Sequence, residues 1–155
     1  MQDDFRLLRI KTPVIQIPDD NNGIYVKRDD MLPFSFGGNK VRIALEFIND
    51  MKGQGKDCIV GYGNTRSNLS RALANLCYLF KIPCHIISPA DEDGTRIDTY
   101  NSKMVLSCDT KFHYCKKTNV KETVEKVLKN LREEGLSPYY IYGDSTGKGN
   151  EHTPM

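Results

Sequence analysis

Lys40 stands directly behind Gly37-Gly38-Asn39, where an extended segment gives way to a helical one. Glycine allows close backbone approach to a ligand and dihedrals that other residues avoid. A lysine held against such a turn can lose water, and desolvation favours its neutral, nucleophilic form. The chemistry open to such an amine is capture of an aldehyde cofactor as a Schiff base. Alone, Gly-Gly-Asn-Lys describes a surface lysine after a turn equally well, so the neighbouring motifs have to decide.

Gly61 through Arg71 reads Gly-Tyr-Gly-Asn-Thr-Arg-Ser-Asn-Leu-Ser-Arg. A strand end, a turn and a helix start bring Ser67 and Asn68 to an anion-friendly helix N-terminus. Backbone amides there can hold a carboxylate, and Asn68 can donate to a phenolate oxygen; the plain alternative is a helix cap. A third stretch, Gly143 to Asn150, includes Ser145, Thr146 and Gly147. Successive amides in such a glycine-rich turn form an anion nest suited to phosphate, the alternatives being a solvent loop or a nucleotide P-loop. The P-loop pattern is G-x-x-x-x-G-K-[ST]. Here only three residues separate Gly143 from Gly147, and Gly149 follows Lys148 where the magnesium-binding hydroxyl should stand. Together the stretches offer an amine, a holder for a carboxylate and a phenolate, and a holder for a phosphate. Those are the demands of pyridoxal 5'-phosphate with an amino acid, where the cofactor is the electron sink and the protein orients it.

The elements that must position these groups follow from periodicity. Residues 12–18 are extended, 19–23 form a turn and 24–27 a short strand. From Asn39, Val41, Ala44, Leu45, Ile48 and Met51 fall at helix spacing, and Gly53 and Gly55 stop the helix. Residues 57–62 read as a buried strand. A helix capped by Ser67 or Asn68 follows, carrying Leu69, Ala72, Leu73, Leu76, Leu79 and Phe80. Further strands are expected at 83–87, 111–114 and 139–142. A helix over 98–106 is expected to turn Tyr100, Met104 and Val105 inward. A helix over 120–135 presents Val124, Val127, Leu128 and Leu131 to the core and Glu122, Glu125, Lys126 and Lys129 to solvent. Strand-helix alternation implies a three-layer α/β/α fold around a parallel sheet. A glycine-rich loop after a strand normally opens a helix; none follows Gly149, so the chain is expected to be a piece of a longer one.

The chain has 155 residues and a net charge of +2, which gives no electrostatic case for nucleic acid or a membrane surface. No apolar run reaches membrane-spanning length. Residues Met1 to Phe5 have neither a basic region nor an apolar signal core. The five cysteines lack Cys-x-x-Cys spacing and read as reduced thiols of a cytoplasmic protein. The histidines, His85, His113 and His152, make no ligand pattern with them, so no metal site is expected.

The order Thr12-Pro13, Lys27-Arg28-Asp29-Asp30, Gly37-Gly38-Asn39-Lys40-Val41-Arg42, then Ser67-Asn68 with Arg71, resembles the family of D-cysteine desulfhydrase and 1-aminocyclopropane-1-carboxylate deaminase. These are pyridoxal-phosphate enzymes of the tryptophan synthase β-like fold, fold type II. The resemblance runs from about Thr12 to Asn150 and covers the N-terminal half of a family member. It implies that Lys40 is the Schiff-base lysine and that Asn68 bonds the cofactor's ring oxygen. Ser67 would lie beside the substrate carboxylate and assist proton removal. Gly143, Ser145, Thr146 and Gly147 would begin the phosphate loop, although the family's Pro-x-Gly-Gly-Ser type of loop is here Tyr142-Gly143-Asp144-Ser145-Thr146. Residues 1–44 would belong with a large domain, 45–142 would form a small α/β domain, and 143–155 would start the phosphate loop. The implied parent is a homodimeric lyase or deaminase acting on a small amino acid, releasing a keto acid, ammonia and, from cysteine, sulfide. Its C-terminal half would supply the residue facing the pyridine nitrogen, so this chain alone is expected to be inactive. The competing readings are a folded non-catalytic α/β domain and a nucleotide-binding module.

Overall fold

The computed structural model describes residues 10–18, 23–90 and 97–143. The inner strands of its sheet are buried almost throughout, as strands covered on both faces must be, while the edge strand 111–115 is partly exposed. The strands are β3 (Cys58–Tyr62), β4 (Cys84–Pro89), β5 (Lys111–Cys115) and β6 (Pro138–Tyr140), after the two strands of an N-terminal hairpin described below. The order is β5-β4-β3-β6, and every neighbouring pair is parallel.

The connections are helical. The helix α1 (Asn39–Gly53) precedes β3, α2 (Asn68–Phe80) joins β3 to β4, α3 (Tyr100–Ser107) joins β4 to β5, and α4 (Val120–Glu133) returns to β6. Because successive strand residues point to opposite faces, the sheet splits the core in two. Ile59, Ile86 and Tyr139 pack with Val41, Ala44, Leu45 and Ile48 of α1, Leu73 and Leu76 of α2 and Val105 of α3. Cys58, Val60, Ile87 and Tyr140 pack with Val124, Val127, Leu128 and Leu131 of α4. The result is the expected three-layer sandwich. The expected boundary after residue 44 falls inside α1, which is one continuous helix.

The hairpin lies apart from that sheet. Here β1 (Val14–Gln16) pairs antiparallel with β2 (Tyr25–Lys27), with Val14 opposite Lys27. All six residues are exposed, so something other than apolar burial must hold them to the body.

Two local expectations are corrected. Tyr100 does not face inward; it is 87 % exposed. Thr99 caps α3 by accepting from Ser102 N, and Ser102 Oγ accepts from Thr99 N in return. That capping box makes Ser102 and Val105 the buried face, and Tyr100 sits about 200° round the helix from Ser102. The last strand ends at Tyr140, because Gly143 N bonds back to Tyr140 O in a turn. Cys58, Cys77 and Cys84 are buried free thiols, and burial pushes the Cys58 thiol up to about 12, which makes it inert. No helix among the described residues is long and apolar enough to cross a membrane.

Candidate active site

The motif Lys27 to Asp30 is a clamp. Asp29 Oδ1 accepts from Thr12 Oγ1 at 2.7 Å and from Arg42 Nη2 at 2.9 Å, and Asp29 Oδ2 accepts from Arg42 Nε at 2.8 Å. Lys27 Nζ donates to Thr12 Oγ1 at 2.7 Å. Arg42 also reaches Ile10 O at 3.2 Å. A planar guanidinium matches both oxygens of one carboxylate, which gives geometric specificity as well as energy. The Arg42 guanidinium, with the Thr12 hydroxyl, holds Asp29 well below the usual carboxylate range. Thus Thr12, Lys27, Asp29 and Arg42 fasten the hairpin to the first turn of α1. Arg28 and Asp30 form an exposed pair at 2.7 Å that adds little.

Between clamp and helix the backbone is strained. Ser35, Phe36, Gly37 and Gly38 all have positive φ, at 49°, 62°, 69° and 88°. For Ser35 and Phe36 this is an unfavourable region, and strain of this kind persists only where surrounding contacts impose it. Gly37 has no alternative, since a Cβ there would meet Asp30 O at 2.3 Å. Gly38 N donates to Asp29 O at 2.6 Å, which closes the loop against the clamp. Gly38 occupies the N-cap position of α1 without a side-chain cap, and Lys40 follows two residues later, half-buried.

The second constellation is the start of α2. Ser67 is its cap: its side chain accepts from Ser70 N at 3.1 Å. Gly63 must lack a side chain, because a Cβ would lie 2.6 Å from both Ser67 Oγ and Ser70 Oγ. Ser70 is 1 % exposed, and its Oγ has no hydrogen-bond partner among the described residues. Asn68 is exposed at the first turn, with its Oδ1 accepting from Asn101 Nδ2 at 3.0 Å. Arg71, one turn on, donates through Nε to Ser35 Oγ at 3.2 Å and lies 5.4 Å from the Phe36 ring centroid. The loop before Lys40 and the helix bearing Asn68 are therefore fastened to each other. Sequence reasoning missed Ser35 and Asn101, which come from elsewhere in the chain.

Topology places these parts together. From β3 the chain moves to β4 on one side, while β6 arrives on the other. The carboxyl ends of β3 and β6 are thus the switch point at which open α/β sheets bind ligands. Gly63 to Asn68 leaves β3 there and Gly143 follows β6, with Tyr62 and Tyr142 in edge contact at 5.8 Å. Gly143 has φ 82°, a turn residue as expected. Ser145, Thr146 and Gly147 lie outside the described residues. A cavity of about 510 Å³ opens at the opposite, amino edge of the sheet, between Cys77, Lys81, Cys84 and Lys111, and is separate from these groups. Near it His85 Nδ1 and His113 Nε2 are 2.9 Å apart, a pair the sequence did not suggest. Burial, with the neighbouring charges of His113 and Lys111, lowers His85 to about 4.

Residues 5–151 match the family described as pyridoxal-phosphate dependent enzyme. The chain belongs to that family. It is 30 % identical over 146 residues to a D-cysteine desulfhydrase of Klebsiella pneumoniae (strain 342), covering 87 % of this chain and 44 % of the relative. The fold matches that of an ACC deaminase homologue with a TM-score of 0.72 at 21 % identity, covering 87 % of this chain and 42 % of the other. It also matches a cysteine synthase from Entamoeba histolytica with a TM-score of 0.62 at 15 % identity, over 88 % of this chain and 42 % of the other. This family member has the tryptophan synthase β-like architecture of fold type II enzymes, and it spans under half the length of the curated relatives it matches.

Proposed function

We propose that this chain supplies the lysine-bearing part of a pyridoxal-phosphate site in a lyase or deaminase for small amino acids, with D-cysteine as the first substrate to test. The observation that carries this reading is the fastening of the loop before Lys40 to the first turns of α2 through Arg71 and Ser35. It ties the loop that precedes the amine to a helix start suited to anions beside the switch point, which supports a shared site. The residues present fit the cofactor. The orphan Ser70 hydroxyl and the tight approach at Gly63 make a small polar cradle, and Asn68 keeps its Nδ2 for a phenolate acceptor because its Oδ1 is engaged. When bound, the cofactor supplies an electron sink for a carbanion.

The chain's own groups then have distinct tasks. Lys40 would hold the cofactor's aldehyde carbon and, once the substrate's amine has displaced it there, would use its freed amine to move the proton at the substrate's α-carbon. The amides at the start of α2 orient the substrate carboxylate. Ser67 Oγ, placed beside that carboxylate, assists the same proton transfer. Gly143, Ser145, Thr146 and Gly147 begin a phosphate-binding turn. Loss of the β-substituent from D-cysteine would release sulfide, and addition of one water to the remaining unsaturated amino acid would give the keto acid and ammonia. Residues up to 44 associate with a large domain, 45–142 form the small domain, and the active species is a cytoplasmic homodimer of the relatives' length. This chain alone is expected not to turn over, since opposing groups that exclude water and stabilise charge are not among those it contributes.

The test is sulfide release from D-cysteine by a full-length protein carrying this segment, beside its Lys40→Ala variant. Release in the first and none in the second is expected. Turnover retained by Lys40→Ala contradicts the reading.

A further inference from the structure

We infer that Asn101, held by Arg71, is a positioning residue that sets which way the Asn68 amide points, an inference that rests on the pyridoxal-phosphate reading. An asparagine amide has a donor end and an acceptor end, and the surrounding hydrogen bonds decide which end faces where. Asn101 is fixed first. Its Oδ1 accepts from Arg71 Nη1 at 2.9 Å, and a guanidinium can only donate. Its Nδ2 donates to Arg66 O at 2.8 Å, and a carbonyl can only accept. Those two bonds leave Asn101 one orientation, with its remaining Nδ2 proton directed at Asn68 Oδ1 at 3.0 Å. Asn68 must therefore turn its oxygen toward Asn101 and its Nδ2 outward.

That choice has a chemical consequence. A phenolate oxygen accepts hydrogen bonds, so Asn68 Nδ2 facing outward attracts it and Asn68 Oδ1 facing outward repels it. Two further bonds hold the source of the constraint in place. Arg71 Nε is spent on Ser35 of the loop before Lys40, so the guanidinium cannot swing away. Thr99 Oγ1 donates to Thr65 O, and Thr65 Oγ1 donates to Ile97 O at 2.7 Å, which pins the start of α3 to the turn before α2. The chain from Ser35 through Arg71 and Asn101 to Asn68 thus links the lysine loop to the ring-oxygen donor.

The experiment is a double-mutant cycle read by pyridoxal-phosphate affinity, measured by absorbance titration without substrate, on a full-length protein carrying this segment. Asn101→Leu keeps the branched heavy-atom shape and removes both the Nδ2 donor and the Oδ1 acceptor. We expect it to weaken binding by about five- to tenfold, Asn68→Ala by about tenfold, and the double variant no more than Asn68→Ala alone, because the first acts through the second. Additive losses, or unchanged affinity in Asn101→Leu, overturn the inference. A second readout needs no variant. In amide NMR of the wild type, the Asn68 side-chain NH2 signals should shift on addition of pyridoxal phosphate while those of Asn101 stay. The reverse pattern overturns it. Wild type that does not bind pyridoxal phosphate sinks both this inference and the reading beneath it; wild type that binds with Asn101→Leu binding equally sinks this inference alone.

Discussion

At the scale of single residues, backbone geometry limits the site as tightly as side-chain chemistry. Gly37 combines φ 69° with a Cβ position 2.3 Å from a backbone oxygen, which cannot move as a side-chain tip would. Gly37→Ala is expected to destabilise the fold by about 3 kcal/mol or more, read as a lower urea midpoint at unchanged slope. Gly23, with a similar φ of 68° but open space around it, should tolerate alanine better, at about 1 kcal/mol. The places of Lys40, Ser67 and Asn68 at helix starts were legible from sequence, because each sits in a local motif, a turn or a helix cap whose residue types announce it. Asn101 and Ser35 were not, because their partners are 33 and 36 residues away and only the folded chain brings them together. Tyr100 was misplaced for a related reason. Hydrophobicity suggested an inward side chain, and the capping box of Thr99 and Ser102 rotated it out.

At the scale of elements, the hairpin is held to α1 chiefly through the Asp29 carboxylate. Removing the acidic partner leaves Arg42 without its carboxylate and Thr12 without its acceptor, with the Lys27–Thr12 and Arg42–Ile10 bonds left across the clamp, so Asp29→Ala should cost about 2–3 kcal/mol. Protease nicking should then begin within 10–18 and 23–38 while the sheet stays resistant, checked by mass spectrometry of limited digests. The pH dependence follows from the direction of the Asp29 shift. A carboxylate held low contributes fully above its ordinary range, and its stabilisation is lost as pH falls through its own lower value. His85 acts in a different window. Its value falls from 6.5 unfolded to about 4 folded, so it is neutral in the fold and the unfolded chain takes its proton first. Stability should be level above pH 6.5 and decline between 6.5 and 4, by up to about 3 kcal/mol. Urea midpoints of His85→Asn across that range should show a shallower decline than wild type. The sequence placed His85 and His113 in separate strands, and only the parallel register, with Ile87 opposite His113, puts them on one face within reach.

At the scale of the whole molecule, the three-layer fold was legible because β3 and β4 are short, largely apolar buried runs and α1, α2 and α4 each show one apolar stripe. Val124, Val127, Leu128 and Leu131 are all buried, as their spacing requires. The antiparallel pairing of β1 with β2 was less evident, since its side chains are exposed and burial gives no pattern to read. The resemblance motifs gained a physical meaning. Thr12, Lys27, Asp29 and Arg42 form the clamp, and the glycines form the strained turn that presents Lys40. The measurement that tests this account most directly is addition of pyridoxal phosphate to the chain, borohydride reduction, and mapping of the modified peptide by mass spectrometry. The expected result is a label confined to Lys40 and reduced in Arg71→Ala, which loosens the loop from α2. Labels scattered over several lysines, or none at Lys40, would contradict it.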